Sequence, residues 1–208
     1  MVVSNLDLCS EYCVLRIWEI VAVFVAATSG VIGARRAGMD FFGMSVLALV
    51  TGVGGGTLRS ILLGDLPPMV LKDPVYFFLV LIATVVSLSG DRCWGKVIRL
   101  VSVVDALSIG LFMVIGIEVA RSYQLAWWSC MGVVTATFGG VLRDILRAEV
   151  PLIFRKEIYA SACVAGGFLF FALEGLGLDA VLCKFGTVLF VTTVRMLAIR
   201  YALHHSEE

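Results

Sequence analysis

The stretch that decides the fold occurs twice in this chain. Residues 54–67 read Gly-Gly-Gly-Thr-Leu-Arg-Ser-Ile-Leu-Leu-Gly-Asp-Leu-Pro, and residues 139–151 read Gly-Gly-Val-Leu-Arg-Asp-Ile-Leu-Arg-Ala-Glu-Val-Pro. Without a gap, the two copies align at a constant offset of 139 − 55 = 84 residues. The matching pairs are Gly55 with Gly139, Gly56 with Gly140, Arg59 with Arg143, Asp65 with Glu149 and Pro67 with Pro151. An internal repeat fixes the architecture before any local prediction, so the chain is predicted to consist of two similar halves.

The composition predicts an integral membrane protein. Hydrophobic residues make up 60% of the chain and charged residues 15%, and the mean hydropathy is +1.01, whereas soluble domains are roughly one-quarter charged. The formal net charge of zero gives no reason to expect nucleic acid as a partner. The six cysteines are scattered, and neither a metal-ligand spacing, a Ser/His/Asp set nor a phosphate-binding loop is apparent. We therefore predict no metal, no cofactor and no enzymatic activity.

Seven segments are apolar enough to be predicted as membrane spans, each of which needs about 20 mostly apolar residues. They are residues 15–34, 42–63, 74–90, 101–120, 125–146, 157–173 and 180–199. The links between them are short, so residues 1–208 are predicted to form a single transmembrane domain.

The repeat extends into the helix before each glycine block, because Val31-Ile32-Gly33 is echoed by Val114-Ile115-Gly116 at an offset of 83. Each half then contains three spans, with residues 15–90 as the first repeat, 101–173 as the second and 180–199 as an extra helix. Because three is odd, the second copy enters the bilayer from the opposite side. The predicted fold class is an all-α membrane protein with seven transmembrane helices, arranged as two inverted three-helix repeats plus a seventh helix.

The lysines and arginines predict the orientation. Eleven of them fall on one side of the predicted spans and five on the other, and the side richer in these residues is normally cytoplasmic. This distribution places the N-terminus outside and the C-terminus in the cytoplasm.

The glycine clusters predict two bent or broken helices. Gly54, Gly55 and Gly56 lie inside the second segment, and Gly139 and Gly140 inside the fifth. Each glycine costs a helix interior about 1 kcal/mol relative to alanine, and backbone groups freed by a break must face protein or water. Paired breaks in inverted halves point to a permeation or binding site at the membrane midplane. The alternative is that the glycines let helices pack closely.

Polar residues inside the predicted spans are the other candidates for lining or gating a pathway. Arg59 and Arg143 each cost roughly 2.5–3.5 kcal/mol to insert, so they either face a wet route or hold the helices through buried pairing. Asp105 either lines a cation route or caps the start of its helix. Oxygen atoms can replace the hydration shell of a cation. The remaining candidates, chosen for their side-chain oxygens, are Asp144, Thr28, Ser29, Ser108, Thr135 and Thr137.

Two motifs, one in each half, carry a family resemblance that covers nearly the whole chain. The first consists of Gly33-Ala34-Arg35-Arg36, Gly38-Met39-Asp40, Gly43 and the glycine block through Arg59; the second consists of Asp105-Ala106-Leu107, Gly110, Gly116, Ala120, the block 139–144, Pro151 and Tyr159. With these motifs the chain resembles the prokaryotic relatives of the trimeric intracellular cation (TRIC) channels.

The resemblance implies a homotrimer in the lipid bilayer of a prokaryotic inner or plasma membrane. Each protomer would hold its own pore between glycine-broken helices 2 and 5 and pass monovalent cations, chiefly potassium. No cofactor is implied beyond a permeant potassium or sodium ion, although animal members are regulated by a phosphoinositide lipid near such basic positions, which leaves a bound lipid open.

Some features leave alternatives open. Some bacterial members carry the name glycine transporter, so a secondary transporter of a small amino acid such as glycine is the rival function, and a purely structural membrane protein is a third class. Ser60 stands where the first block of the family has aspartate, and Thr135-Ala136-Thr137 stands where the animal channels have Lys-Glu-Val. The first departure argues against a mechanism that needs two equivalent Arg-Asp pairs.

Overall fold

The computed structural model describes residues 5–88, 94–125, 127–154 and 158–205. Within these ranges all regular elements are helices. In chain order they are α1 (Asn5–Arg36), α2 (Phe41–Leu63), α3 (Met69–Lys72), α4 (Val75–Leu88), α5 (Trp94–Ser122), α6 (Trp128–Leu146), α7 (Ala160–Gly175) and α8 (Ala180–His205), with a short 3-10 helix at Leu152–Phe154 between α6 and α7.

Each predicted span falls on a helix, and α3 is a short addition that the sequence did not predict. Among the described residues, four stretches are long and apolar enough to cross a membrane: Cys13–Arg36, Phe41–Leu63, Trp128–Leu146 and Ala180–Tyr201. The apolar helices α4 and α7 are shorter. The predicted end of the third span at residue 90 and the predicted start of the sixth at residue 157 lie outside the described residues, so the count of seven spans stays a prediction.

Local sequence explains where α2 begins and ends. Asp40 is its N-cap, and the side chain accepts a hydrogen bond from the Gly43 N–H at 2.8 Å, which satisfies one of the unpaired amides of the first turn. At the other end Gly64 adopts a left-handed φ of 70°, a conformation that glycine adopts at little cost. Asp40 and Gly64 therefore set the length of α2, the helix that carries the first glycine block.

A bend at the glycine blocks stays a prediction, but a break there is wrong, because α2 and α6 continue as helices through Gly54–Gly56 and through Gly139 and Gly140. The reason is that the two helices cross in backbone contact. A Cβ atom added to Gly55 would lie 2.1 Å from the Thr135 carbonyl oxygen, and one added to Gly139 would lie 2.4 Å from the Thr51 carbonyl oxygen. These two glycines therefore serve close packing, the alternative that the sequence left open.

The predicted offset of 84 between the glycine helices is confirmed by these contacts, because Thr51 and Gly55 correspond to Thr135 and Gly139 in exchanged roles. The two contacts have the same form, with each glycine set against the carbonyl of the other helix. These four residues define the crossing of α2 and α6.

The predicted offset of 83 between α1 and α5 is wrong. A Cβ added to Gly30 would meet Ala48 and Thr51 of α2, and one added to Gly116 would meet Gly132 and Thr135 of α6, all within 2.9 Å. Since both α2 positions shift by 84, Gly30 corresponds to Gly116, an offset of 116 − 30 = 86. The pairing of the two Val-Ile-Gly triplets displaces α5 relative to α1 by about one helical turn. Such an error arises because small and branched residues recur along both apolar helices.

The helix α5 lies at the centre of the bundle, where it packs against α1, α6, α7 and α8. Its Met113, Val114 and Ile117 side chains are fully buried. Since α5 begins at Trp94, Asp105 lies well inside the helix. The alternative that Asp105 caps the helix start is therefore wrong, and its carboxylate needs a partner within the bundle.

Candidate functional site

A first buried cluster consists of Arg59, Glu19 and Tyr76, from α2, α1 and α4. Arg59 is 3% exposed, and its Nη2 donates a hydrogen bond to Glu19 Oε1 at 3.0 Å. The Tyr76 hydroxyl donates to the other oxygen, Glu19 Oε2, at 2.9 Å. Both carboxylate oxygens are thus occupied, as a buried charge requires, whereas the buried Nη1 of Arg59 has no hydrogen-bond partner among the described residues.

A second buried cluster consists of Arg143, Asp105, Asp144, Ser29 and Tyr159. Arg143 is 6% exposed; its Nη1 donates to Asp105 Oδ1 at 3.1 Å and to Ser29 Oγ at 2.8 Å. Its Nε donates to Asp144 Oδ1 at 2.9 Å. The guanidinium is therefore held by two carboxylates and a hydroxyl, which provide the charge-assisted hydrogen bonds that a buried arginine needs.

Asp144 also fixes the connection after α6. Its second carboxylate oxygen, Oδ2, accepts a hydrogen bond from the Leu152 N–H at 3.1 Å. In the first half the residue that corresponds to Leu152 at an offset of 84 is Pro68, which has no N–H to donate. The first half therefore lacks this backbone donor near Ser60, the position that corresponds to Asp144.

The two clusters contain the same chemistry on corresponding helices. Each joins an arginine of the glycine helix to a carboxylate of an earlier helix, α1 or α5, and has beside it a tyrosine from the start of α4 or from the residue before α7. Their formal charges differ: Arg59 and Glu19 sum to zero, whereas Arg143, Asp105 and Asp144 sum to +1 − 1 − 1 = −1. The halves are therefore similar in geometry and unequal in charge.

Two narrow cavities adjoin the clusters. The first-half cavity leaves about 20 Å³ for the centres of water molecules and is lined by Glu19, Val23, Gly52, Val53, Gly56, Thr57, Met69, Val70, Tyr76 and Phe112. The second-half cavity leaves about 10 Å³ and is lined by Ala26, Thr51, Gly55, Asp105, Ser108, Ile109, Phe112, Thr135, Ala136, Gly139, Gly140 and Tyr159. Each has room for only about one or two water molecules.

The linings of the cavities repeat between the halves. Glu19 and Gly56 of the first-half cavity correspond to Asp105 and Gly140 of the second, and Phe112 contributes to both. The crossing residues Gly55 and Gly139 form part of the second-half lining. The structure therefore places a cavity with one carboxylate beside each arginine cluster, and the glycine crossing forms part of the second cavity.

The structure brings most of the predicted site residues together and separates a few. Gly55, Gly139, Gly140, Asp105, Ser108 and Thr135 line the second-half cavity, and Gly56 lines the first. Ser29, Arg143 and Asp144 belong to the second cluster, and Arg59 to the first. Gly54 lies near Leu142 of α6, and Thr28 and Thr137 donate their hydroxyls to the Phe24 and Val133 carbonyls of their own helices; these three residues line neither cavity.

Sequence reasoning missed Glu19, Tyr76 and the buried Arg195 of α8. Glu19 and Arg195 both lie inside predicted spans, so the rule that singled out Asp105, that an ionisable residue in a span is a functional candidate, applied to them as well. Tyr76 carried no such signal, since a tyrosine near the end of a span is common. Within the described ranges, no three His, Cys, Asp or Glu side chains are close enough together to hold a metal ion.

Comparison with known proteins gives one family. A family model described as glycine transporter matches the chain twice, over residues 16–91 and 102–175. A UPF0126 membrane protein of Vibrio cholerae is 36% identical over 186 residues, which cover 86% of this chain and 76% of that protein. The UPF0126 inner membrane protein YadS of Escherichia coli is 37% identical over 154 residues, 73% of this chain and 74% of that protein.

Solved structures of TRIC channels share the fold. The TRIC trimeric intracellular cation channel orthologue from Rhodobacter sphaeroides matches with a TM-score of 0.85 and 32% identity, over 91% of this chain and 98% of that one. A prokaryotic TRIC channel crystallised in 0.5 M KCl matches with a TM-score of 0.85 and 28% identity, over 92% and 98%. The double match of the family model starts at residues 16 and 102, an offset of 102 − 16 = 86 that agrees with the pairing of Gly30 and Gly116.

Proposed function

The chain belongs to the family that the glycine transporter model defines and shares its fold with TRIC channels, and from this membership we propose that it is a potassium-permeable cation channel. It is an integral membrane protein with relatives in bacterial membranes, and its structural relatives are channels, not enzymes. The observation that carries the proposal is the pair of cavities, each lined by one carboxylate, beside the buried arginine clusters on either side of the crossing of α2 and α6.

The proposed assembly is a homotrimer with one route in each protomer, since a structural relative is described as trimeric. The two halves are proposed to be inverted, so that α5, α6 and α7 cross the membrane in the opposite directions to α1, α2 and α4, respectively. This arrangement is supported by the exchanged contacts of Gly55 and Gly139 at the crossing. We keep the N-terminus outside and the C-terminus in the cytoplasm as part of the proposal.

The proposed route passes from one cavity to the other through the crossing. Oxygen atoms suited to a dehydrated monovalent cation line the second-half cavity, in the side chains of Asp105, Ser108 and Thr135. In the described conformation the helices touch at Gly55 and Gly139, so this conformation is closed there. Because only backbone atoms meet at that point, a small separation of α2 and α6 would join the cavities.

The second candidate function is a secondary transporter of a small amino acid such as glycine. The description of the matching family model favours it, and the same paired cavities could alternate between the two sides of the membrane. Glu19 and Arg59 would then offer opposite charges to a zwitterion. This candidate requires saturable uptake and no unitary current.

The deciding experiment is planar bilayer recording of the purified protein under a potassium chloride gradient. We expect discrete unitary currents whose reversal potential lies near that of potassium. Uptake of labelled glycine into proteoliposomes is measured in parallel. Silent bilayers together with saturable glycine uptake would overturn the channel and establish the carrier.

Asp105→Asn is expected to reduce the selectivity of the channel for potassium over chloride. The carboxylate lines the second-half cavity, and a unit charge about 10 Å from a permeant ion contributes roughly 1.7 kcal/mol at an effective dielectric constant of about 20, which corresponds to more than tenfold in the permeability ratio. Asparagine retains the Oδ1 acceptor for Arg143. The reversal potential in a potassium chloride gradient measures the effect.

The matched control is Asp65→Asn, because Asp65 is an exposed carboxylate paired with Lys72 at 2.6 Å and lines neither cavity. Its reversal potential should stay at the wild-type value. Equal reversal potentials for Asp105→Asn and the wild type would remove Asp105 from the route.

A further inference from the structure

Arg195 is a buried arginine that belongs to neither half of the repeat. It lies in α8, the extra helix, and is 3% exposed. Its Nη1 donates to the Ile158 carbonyl oxygen at 3.4 Å, and its guanidinium carbon lies 4.7 Å from the centre of the Tyr159 ring. A guanidinium at this distance from an aromatic face is attracted by the ring quadrupole, most strongly where water is excluded. Arg195 thus holds the backbone and the ring at the start of α7.

Tyr159 forms part of the wall of the second-half cavity. It is the residue immediately before α7, is 2% exposed and lines the cavity together with Asp105. A Cβ atom added to Gly140 would lie 2.6 Å from the Tyr159 hydroxyl oxygen, so the hydroxyl packs directly onto the glycine of α6. Movement of this ring would widen the cavity beside Asp105.

The corresponding tyrosine of the first half is held in a different way. Tyr76 donates its hydroxyl to Glu19 at 2.9 Å, whereas the ring of Tyr159 is covered by a cation from α8. The cation comes from α8, the helix that lies outside the two predicted repeats. Through Arg195 the extra helix therefore contacts the wall of the second-half cavity.

We propose that Arg195 is a positioning residue that holds Tyr159 against Gly140 and so keeps the second-half cavity narrow. In the channel, displacement of the Tyr159 ring away from α6 precedes passage of a cation past Asp105. The expected effect on currents rests on the proposed function, whereas the effect on the width of the cavity does not. We therefore test Arg195 by the open probability of the channel and by the rate of thiol labelling in the cavity, which needs no current.

The first test records unitary currents of Arg195→Met, which keeps an unbranched side chain and removes the charge. We expect a roughly tenfold higher open probability at an unchanged unitary conductance, the order of effect of one desolvated cation–π contact. Arg195→Lys should restore part of the wild-type open probability, since a lysine also attracts the ring. In a Tyr159→Ala background, Arg195→Met should have no further effect, because the ring through which it acts is absent.

The matched control for lost charge is Arg121→Met. Arg121 also lies over aromatic rings, 5.9 Å from Trp128 and 5.7 Å from Phe170, and lines neither cavity. The Arg121→Met variant should therefore have the wild-type open probability. Size-exclusion chromatography checks that each variant is folded, and Arg195→Gln, which also removes the charge, serves if Arg195→Met does not fold. Wild-type open probability in the folded variant without the charge would overturn the proposal.

The second test measures how fast a small cationic thiol reagent labels Ser108→Cys, with mass spectrometry to identify the modified position. Ser108 lines the second-half cavity and is buried, so labelling should be slow alone and roughly tenfold faster with Arg195→Met. If the wild type carries no current, the proposed function fails while this rate still tests Arg195. An unchanged labelling rate would overturn the role of Arg195 even in a conducting protein.

Discussion

Gly55→Ala is expected to destabilise the folded chain by about 3 kcal/mol, the upper end of what overpacking of a tight core costs. The added methyl group would lie 2.1 Å from the Thr135 carbonyl oxygen, and backbone cannot move aside as a flexible side chain can. Helices α2 and α6 must therefore separate along their whole crossing. Thermal unfolding of the detergent-solubilised protein, followed by size-exclusion chromatography, measures the loss.

The neighbouring Gly56→Ala is the matched control. A Cβ at Gly56 would have its nearest contact at 3.9 Å, with Arg59 Nη2, which is an ordinary van der Waals distance. Alanine is about 1 kcal/mol better than glycine in a helix interior, so Gly56→Ala should match or slightly exceed the wild type. Equal stability of the two alanine variants would show that α2 and α6 do not touch at Gly55.

The positions of the helices could be predicted from the sequence because their cause is local. Each long apolar run can be recognised within its own segment, and the predicted spans coincide with helices for that reason. The offset of 84 between the glycine blocks could be predicted in the same way, because an ungapped block that shares its glycines, arginine and proline fixes its own register.

The role of the glycines in close helix packing could not be predicted from the sequence, because it depends on which residues of a second helix lie against them. One sequence shows that Gly55 lacks a side chain, but not that the Thr135 carbonyl occupies the space. Intrinsic propensity favoured a break, and packing across the crossing overrode it. The register of α1 and α5 was missed for a similar reason, since interchangeable apolar residues carry little alignment information.

The charged residues of the candidate site could be predicted from the sequence, but their pairing could not. Asp105, Arg59 and Arg143 stand out because a charge in an apolar span is costly, and the structure gives each a buried partner. Which carboxylate pairs with which arginine depends on the packing of three helices, so Glu19 was not assigned to Arg59. A tyrosine carries no charge at neutral pH, so charge alone could not predict that one would lie in each cluster.

Arg143→Leu is expected to destabilise the protein more than Arg59→Leu. Removal of one partner from a buried ion pair costs about 3–5 kcal/mol, because the remaining charge stays buried. Arg143→Leu leaves two carboxylates, Asp105 and Asp144, without the cation that both bind. Arg59→Leu leaves only Glu19, which keeps its hydrogen bond from Tyr76. We therefore expect a loss in the free energy of unfolding of about 5 kcal/mol for Arg143→Leu and of about 3 kcal/mol for Arg59→Leu, the two ends of that range.

A variant that removes every charge of the second cluster distinguishes the cost of unpaired buried charge from the cost of lost packing. Arg143→Leu combined with Asp105→Asn and Asp144→Asn removes all three charges, and replacement of a whole buried ionic group is often close to neutral for stability. The triple variant should therefore unfold near the wild-type temperature, while its potassium currents are altered because the second-half cavity has lost its carboxylate. A triple variant as unstable as Arg143→Leu alone would mean that the arginine stem, which packs within the bundle, supports the fold. In that case the charges of the second cluster would have no share in the stability of the crossing.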